Sequence, residues 1–278
     1  MGLERNGPAR YGTGMRLALQ RHGTDAGTAT GRPPLVIVHG LFGSARNWGA
    51  IARRLGDRGP VLVPDLRNHG ESGHLARHRY PDLAADLAET LAEAAPFDIA
   101  GHSMGGKTAM WLALTRPDMV RRLLVADIAP VAYGHTQIGL VQAMMAMDLT
   151  GLDGSRAEAD KRLAVAVPDA GVRAFLLQSL ALREGPARWR LNLPALAAEM
   201  GHVTGWPAPP AGARFEGPTL FLSGGASDYV LPEHRGAIRA LFPAARFAKM
   251  PGAGHWLHAE RPREVEGVFR AFFDAAAP

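Results

Sequence analysis

Residues 98–108 read Asp-Ile-Ala-Gly-His-Ser-Met-Gly-Gly-Lys-Thr and carry two chemical motifs at once. From Gly101 to Gly105 the pattern is G-x-S-x-G. Between a strand and a helix, this pattern pushes a serine hydroxyl out at the sheet edge, with the N–H of Met104 beside it to bind an oxyanion. From Gly101 to Thr108 the pattern is G-x-x-x-x-G-K-T. Such a loop cradles phosphates on backbone N–H groups, with Lys107 reaching the terminal phosphates and Thr108 a magnesium ion. The run Leu123-Leu-Val-Ala-Asp127 suits the second reading because it ends in an acid, although any buried parallel strand ending at an active edge looks the same. The segment admits a serine hydrolase or an NTPase, and residues elsewhere must decide.

A serine nucleophile needs an imidazole base, an acid to orient it and donors for the oxyanion, which come from loops remote in sequence. His39-Gly-Leu-Phe-Gly-Ser44 follows an apolar tetrad, and its glycines let the N–H of Leu41 or Phe42 turn into the same site. His255 stands in Pro251-Gly-Ala-Gly-His-Trp256, and of the eleven histidines it alone combines such a loop with the chain order serine, acid, histidine. The acid has two candidates. Asp127 ends one apolar run, and Asp228 follows the next in Ser223-Gly-Gly-Ala-Ser-Asp-Tyr-Val230; spacing leaves both open. The other histidines, His69, His74, His78 and His258 among them, form no H-E-x-x-H or comparable set. No metal or other cofactor is expected, and these side chains are expected at the solvated surface.

The elements that would position these groups alternate. Short apolar runs at 35–38, 61–63, 97–100, 123–126, 219–222 and 246–250 read as strands buried on both faces of a parallel sheet. Residues 11–22 add a leading strand. Asn47 is expected to cap a helix carrying Trp48, Ile51 and Leu55. Leu83, Leu87 and Leu91 mark a second helix, 107–115 a third, and Val265, Val268, Phe269 and Phe272 a terminal one. In such folds functional groups gather at the C-terminal ends of strands. The rhythm breaks at 131–214, which shows helical patterns and no convincing strand. That stretch is expected to be a helical cap inserted into a core of 11–130 and 215–275. Within it, 138–149 carries Val141, Met144, Met145 and Met147, which either line an adaptable acyl pocket or pack the cap onto the core.

Composition narrows the partners. The chain has 278 residues, 47% hydrophobic, enough for one large domain with an inserted subdomain. The formal charge is +5. Its basic residues, however, are dispersed in pairs such as Arg53-Arg54 and Arg121-Arg122, without the clustering or aromatic interleaving of a nucleic-acid surface. Only Lys107, Lys161 and Lys249 are lysines, and there is no cysteine. Neither a signal peptide nor a membrane span is legible, so a cytoplasmic protein acting on a small-molecule ester is expected.

Five segments together resemble the α/β-hydrolase superfamily over about 15–273: His39-Gly-Leu-Phe-Gly-Ser, Asp65-Leu-Arg-Asn-His-Gly-Glu-Ser72, Gly101-His-Ser-Met-Gly-Gly-Lys, Asp127-Ile-Ala-Pro130 and Gly252-Ala-Gly-His-Trp. With Trp189-Arg-Leu-Asn192 they are similar to a branch of small bacterial carboxylesterases related to mitochondrial abhydrolase-domain proteins. The resemblance implies an α/β-hydrolase fold, with a mostly parallel sheet flanked by helices and a helical cap. It implies Ser103 as nucleophile, His255 as base, and Leu41 with Met104 as oxyanion donors. In the superfamily at large the acid maps to Asp228 and in the branch to Asp127, which is the one expected here. The NTPase reading leaves the segments at 39 and 255 unexplained. Serine at 103 argues against haloalkane dehalogenases and epoxide hydrolases, which would need aspartate there. The same triad serves thioesterases, acyltransferases, carbon–carbon hydrolases and cofactor-free haloperoxidases, so the expected esterase has neighbours in chemistry.

Overall fold

A computed structural model of the chain describes residues 14–23, 32–183 and 185–276. The chain runs through β1 (Leu19–His22), β2 (Leu35–Val38), α1 (Ala45–Leu55), β3 (Val61–Pro64), α2 (Tyr80–Thr90), β4 (Phe97–His102), α3 (Met104–Thr115) and β5 (Val120–Ala126). There follow α4 (Ile138–Ala146), α5 (Arg156–Leu163), α6 (Ala170–Leu176), the short strands β6 (Leu180–Ala181) and β7 (Arg188–Trp189), α7 (Leu193–Ala198) and α8 (Met200–Thr204). β8 (Thr219–Gly224), α9 (Arg235–Leu241), β9 (Ala245–Met250), α10 (Leu257–Glu260) and α11 (Pro262–Phe273) return to the main sheet and cover it.

Seven strands pair in the order β1-β3-β2-β4-β5-β8-β9. β1 is antiparallel to β3, and the other pairings are parallel. The apolar runs lack polar alternation because both faces of the sheet are covered. Along β2, Val36 and Val38 enter one core with α2 and α3, whereas Leu35 and Ile37 enter the other with Trp48 and Ile51 of α1 and Phe269 of α11. β5 divides likewise, Leu123 and Val125 to one side and Leu124 and Ala126 to the other.

Three details differ from the sequence expectations. The leading strand is confined to Leu19–His22, and positions 11–13 lie outside the described residues. α1 begins at Ala45 with Ser44 as its N-cap, and Asn47 acts from inside the first turn, its Oδ1 accepting the Ser44 N–H at 2.6 Å. The segment between β5 and β8 contains a two-stranded hairpin, in which Leu180 pairs with Trp189 and Ala181 with Arg188. Strands of two residues carry too little alternation to be read from sequence. Among the described residues no helix is long and apolar enough to cross a membrane.

What positions the centre of the sheet is backbone packed on backbone. A Cβ at Gly105 would stand 2.3 Å from the carbonyl oxygen of His39 and 2.5 Å from that of Val38, and one at Gly101 would stand 2.3 Å from the oxygen of Gly105. No rotamer relieves such contacts, since nothing in them is a side chain. Gly105→Ala is therefore expected to destabilise the fold by about 3 kcal/mol or more, seen as a lowered melting temperature or loss of soluble protein. A wild-type melting temperature in this variant would contradict the close crossing.

Candidate active site

The turn from β4 into α3 is too short for relaxed backbone. Ser103 occupies it at φ 53°, ψ −121°, a region that non-glycine residues enter only when the surroundings over-determine them. Here they do: the Ser103 N–H donates to the carbonyl of Ala126 on β5 at 3.0 Å, and its own carbonyl accepts the Lys107 N–H at 3.0 Å. The hydroxyl is thereby lifted off the sheet at the head of α3. His255, in the loop between β9 and α10, presents Nε2 to Ser103 Oγ at 3.1 Å and Nδ1 to Asp127 Oδ2 at 2.7 Å.

Asp127 follows β5, is fully buried and also has a positive φ of 52°. Its Oδ1 accepts the Gly224 N–H at 2.9 Å, and its Oδ2 accepts the Ser227 hydroxyl at 2.5 Å as well as His255 Nδ1. A carboxylate buried with three donors stays an acceptor and holds the imidazole proton on Nδ1, leaving the Nε2 lone pair for the serine. Asp228 lies one residue beyond Ser227 and is exposed; among the described residues it makes no hydrogen bond to His255. β8 and the loop after it contribute other groups: Gly224 and Ser227 hold the Asp127 carboxylate, and the Tyr229 ring stacks on His255 at 4.0 Å. Nothing in the sequence distinguished these three, because a serine, a glycine and a tyrosine in a loop carry no signature of their own.

The loop after β2 lies against the serine: a Cβ at Gly40 would meet Ser103 Cβ at 3.3 Å. Of its two candidate donors, the Phe42 N–H is already taken by His69 Nε2 at 3.2 Å, and Phe42 sits at φ 63°. Among the described residues no hydrogen bond engages the N–H of Leu41 or of Met104, and both residues line the pocket that holds Ser103.

The histidines depart furthest from expectation. His39, His69, His78, His102 and His258 are buried, and nitrogens of His39, His69 and His102 serve the backbone. His39 accepts the Leu66 N–H at 3.0 Å and gives its Nδ1 proton to the carbonyl of Gly40 at 2.9 Å. His69 gives its Nδ1 proton to the carbonyl of Arg67 at 3.0 Å, and His102 gives its Nε2 proton to the carbonyl of His255 at 2.8 Å. His39 and His69 each donate at one nitrogen and accept at the other, which requires a neutral ring. Burial lowers the pKa of His39, His69 and His102, pushes His78 down to about 3 and His258 to about 4. Among the described residues no three His, Asp or Glu side chains are arranged to hold a metal ion.

A pocket of about 840 Å³, its open mouth included, surrounds Ser103 and His255 and is roofed by Leu140, Val172, Phe175, Met200 and Val203 from α4, α6 and α8. The methionines of 138–149 are not among its lining residues: Met144 is buried in the core and Met145 is half exposed. Met144 and Met147 take the packing role of the two expected. The phosphate-loop alternative fails on geometry. α3 starts at Met104, so Gly105 and Gly106 lie inside the helix and no loop remains to cradle a phosphate. Thr108 Oγ1 donates to the carbonyl of Met104 at 2.9 Å, and Lys107 turns into the protein interior.

A mostly parallel sheet with a serine lifted at the β4–α3 turn, met by a histidine from the last strand's loop, defines the α/β hydrolases. The profile described as Alpha/beta hydrolase family matches residues 35–268, and the chain belongs to that family. Among curated relatives, the sn-1-specific diacylglycerol lipase ABHD11 of Mus musculus is 42% identical over 251 residues, covering 86% of this chain and 80% of the relative. Esterase YbfF of Escherichia coli K12 is 38% identical over 248 residues, covering 87% and 93%. The solved structure of a marine microorganism esterase superposes with a TM-score of 0.85 at 34% identity, covering 92% of this chain and 99% of that one.

The buried neutral histidines make stability depend on pH with a definite sign. Their folded pKa values lie below the unfolded value near 6.5, so on acidification the unfolded chain takes up protons first. The stability they contribute is complete above about pH 6.5 and is lost as pH falls from there toward their folded values. Each such histidine costs about 1.4 kcal/mol per pH unit. The urea midpoint is expected to drop markedly between pH 7 and pH 5, before most carboxylates titrate; an unchanged midpoint would show that the rings are not held neutral.

Proposed function

We propose that this protein is a serine hydrolase that cleaves carboxylic esters of short to medium acyl groups through an acyl-enzyme on Ser103. The observation that carries the reading is the continuous contact from Asp127 Oδ2 to His255 Nδ1 at 2.7 Å and from His255 Nε2 to Ser103 Oγ at 3.1 Å, opening into an apolar pocket. The esterase and lipase names of relatives above one-third identity support it.

In the proposed mechanism His255 Nε2 takes the Ser103 proton as Oγ attacks the ester carbonyl. The oxygen of the tetrahedral intermediate, now negative, is held by the N–H groups of Leu41 and Met104. Phe42 is not proposed as a donor, because His69 already accepts its N–H. His255 then protonates the departing alcohol oxygen, and the acyl group stays on Ser103. Water, deprotonated by the same imidazole, attacks the acyl carbonyl and restores the serine. Asp127 keeps the ring in the tautomer that presents Nε2 and stabilises the imidazolium in both halves.

Residues 131–214 act in this reading as a cap over a core of 14–130 and 215–275. The cap is tied down at several points: Asn192 N–H donates to the carbonyl of Asn68 at 3.0 Å, Arg79 pairs with Glu199 at 2.9 Å, and Lys107 reaches the carbonyl of Gly205 at 2.6 Å.

Hydrolysis of p-nitrophenyl butyrate tests the assignment. Ser103→Ala is expected to lower kcat by on the order of 10⁴-fold or more, and Asp127→Asn by about 10⁴-fold, since it favours the wrong tautomer. Asp228→Asn is expected to stay within a few-fold of wild type. Undiminished activity in Ser103→Ala would reject the mechanism, and a larger loss from Asp228→Asn than from Asp127→Asn would reassign the acid.

A further inference from the structure

Proposed ester hydrolysis leaves a buried lysine on the pocket wall unused. Lys107 is 1% exposed, stands one turn beyond the nucleophile on α3 and lines the same pocket. Its Nζ donates to the carbonyls of Thr204 at 3.1 Å and Gly205 at 2.6 Å. It faces the rings of Tyr133 at 4.7 Å and Tyr80 at 5.6 Å. An ammonium has three protons to give, and the described residues offer this one two oxygens and no carboxylate. Carbonyl dipoles and ring faces favour a positive charge without neutralising it. A buried cation lacking a counter-ion is costly, and one that faces a binding pocket is met by whatever anion enters.

We propose that Lys107 binds a carboxylate carried by the substrate, so that the preferred esters are those with a second, anionic carboxyl group several atoms from the scissile bond. The proposal rests on Ser103 being the nucleophile. Four residues at about 1.5 Å each separate the two along α3, about 6 Å of axial distance, which a chain of a few carbons spans. The remaining N–H of Nζ would donate to the carboxylate oxygen, and the apolar wall from Met200 to Val203 would hold the intervening methylenes. A purely structural lysine, tying α8 to α3 through two carbonyls, would need neither a face on the pocket nor a third donor left over.

The charge state gives the proposal a signature. Burial brings Lys107 down to about 7, and the titratable groups facing it are the phenols of Tyr80 and Tyr133, both raised by burial and neutral throughout the working range. His135 and His255 also line the pocket, and a protonated imidazole would itself favour a carboxylate, so the pH dependence is assigned to Lys107 by its loss in Lys107→Met. The quantity to read is therefore a ratio: kcat/KM for a carboxylated ester over kcat/KM for an uncharged ester of matched length.

Two series separate the side on which the carboxylate lies. Monoethyl esters of succinic to suberic acid place it on the acyl portion, and acetyl esters of ω-hydroxy acids place it on the alcohol; ethyl hexanoate and hexyl acetate are the neutral partners. At pH 6 the ratio is expected to reach about 10 or more at one chain length in one series, the scale of a hydrogen bond to a charged group. It should fall as pH rises from 6 to 8.5, because Lys107 loses its proton, and should collapse to near one in Lys107→Met. The wild-type ratio at pH 6 needs no variant to fold.

Ratios near or below one at every length in both series, with neutral esters still hydrolysed in a Ser103-dependent way, would overturn the proposal and leave the esterase reading intact. A preference that survives Lys107→Met unchanged would also overturn it. Failure to hydrolyse any ester, charged or neutral, would remove the esterase reading and this inference with it.

Discussion

The crossing of β4 and α3 against the end of β2 is the constraint on which the rest depends. Backbone touches backbone at Gly101 and Gly105, which forces the intervening turn into the left-handed half of conformational space at Ser103. A strained turn of this kind survives only inside a rigid frame, and the two-faced parallel sheet is that frame. A Cβ at either glycine would force the two backbones apart and with them the turn that carries the hydroxyl. Phe42 and Asp127 also have positive φ, so three of the loops that meet at the site hold backbone conformations that an isolated peptide would abandon.

Much of this was legible because it rests on patterns with strong physical causes. Apolar tetrads buried on both faces announced the sheet strands, and glycine-flanked serine and histidine announced the loops at 103 and 255. What stayed illegible has causes too. Asp127 and Asp228 both end strands, and only the direction of Nδ1 in three dimensions separates them. The burial of His39, His69 and His78 could not be read, because a histidine's environment depends on which backbone groups its nitrogens meet, and those lie up to 27 positions away in the chain, as for His39 and Leu66. The methionines of α4 were ambiguous for a related reason: their flexibility suits a pocket wall and a core filling equally well.

The neutral histidines are better understood as part of the scaffold than as chemistry. His39, His69 and His102 take or give hydrogen bonds where a loop would otherwise bury an unsatisfied amide or carbonyl. His69 does so for Phe42, which frees the preceding amide of Leu41 to face the pocket. In the proposed mechanism that ring sets which of two adjacent amides is left for an incoming substrate, although it touches no substrate itself.

Tyr229 covers one face of His255, while the backbone of that same histidine is held by His102 and its Nδ1 by Asp127. These contacts on its face, its Nδ1 and its backbone restrict the imidazole. In the proposed mechanism the orientational entropy that a free side chain would lose at each turnover is then already lost at folding. The β8 loop, which in that mechanism does not supply the acid, is a clamp on the ring.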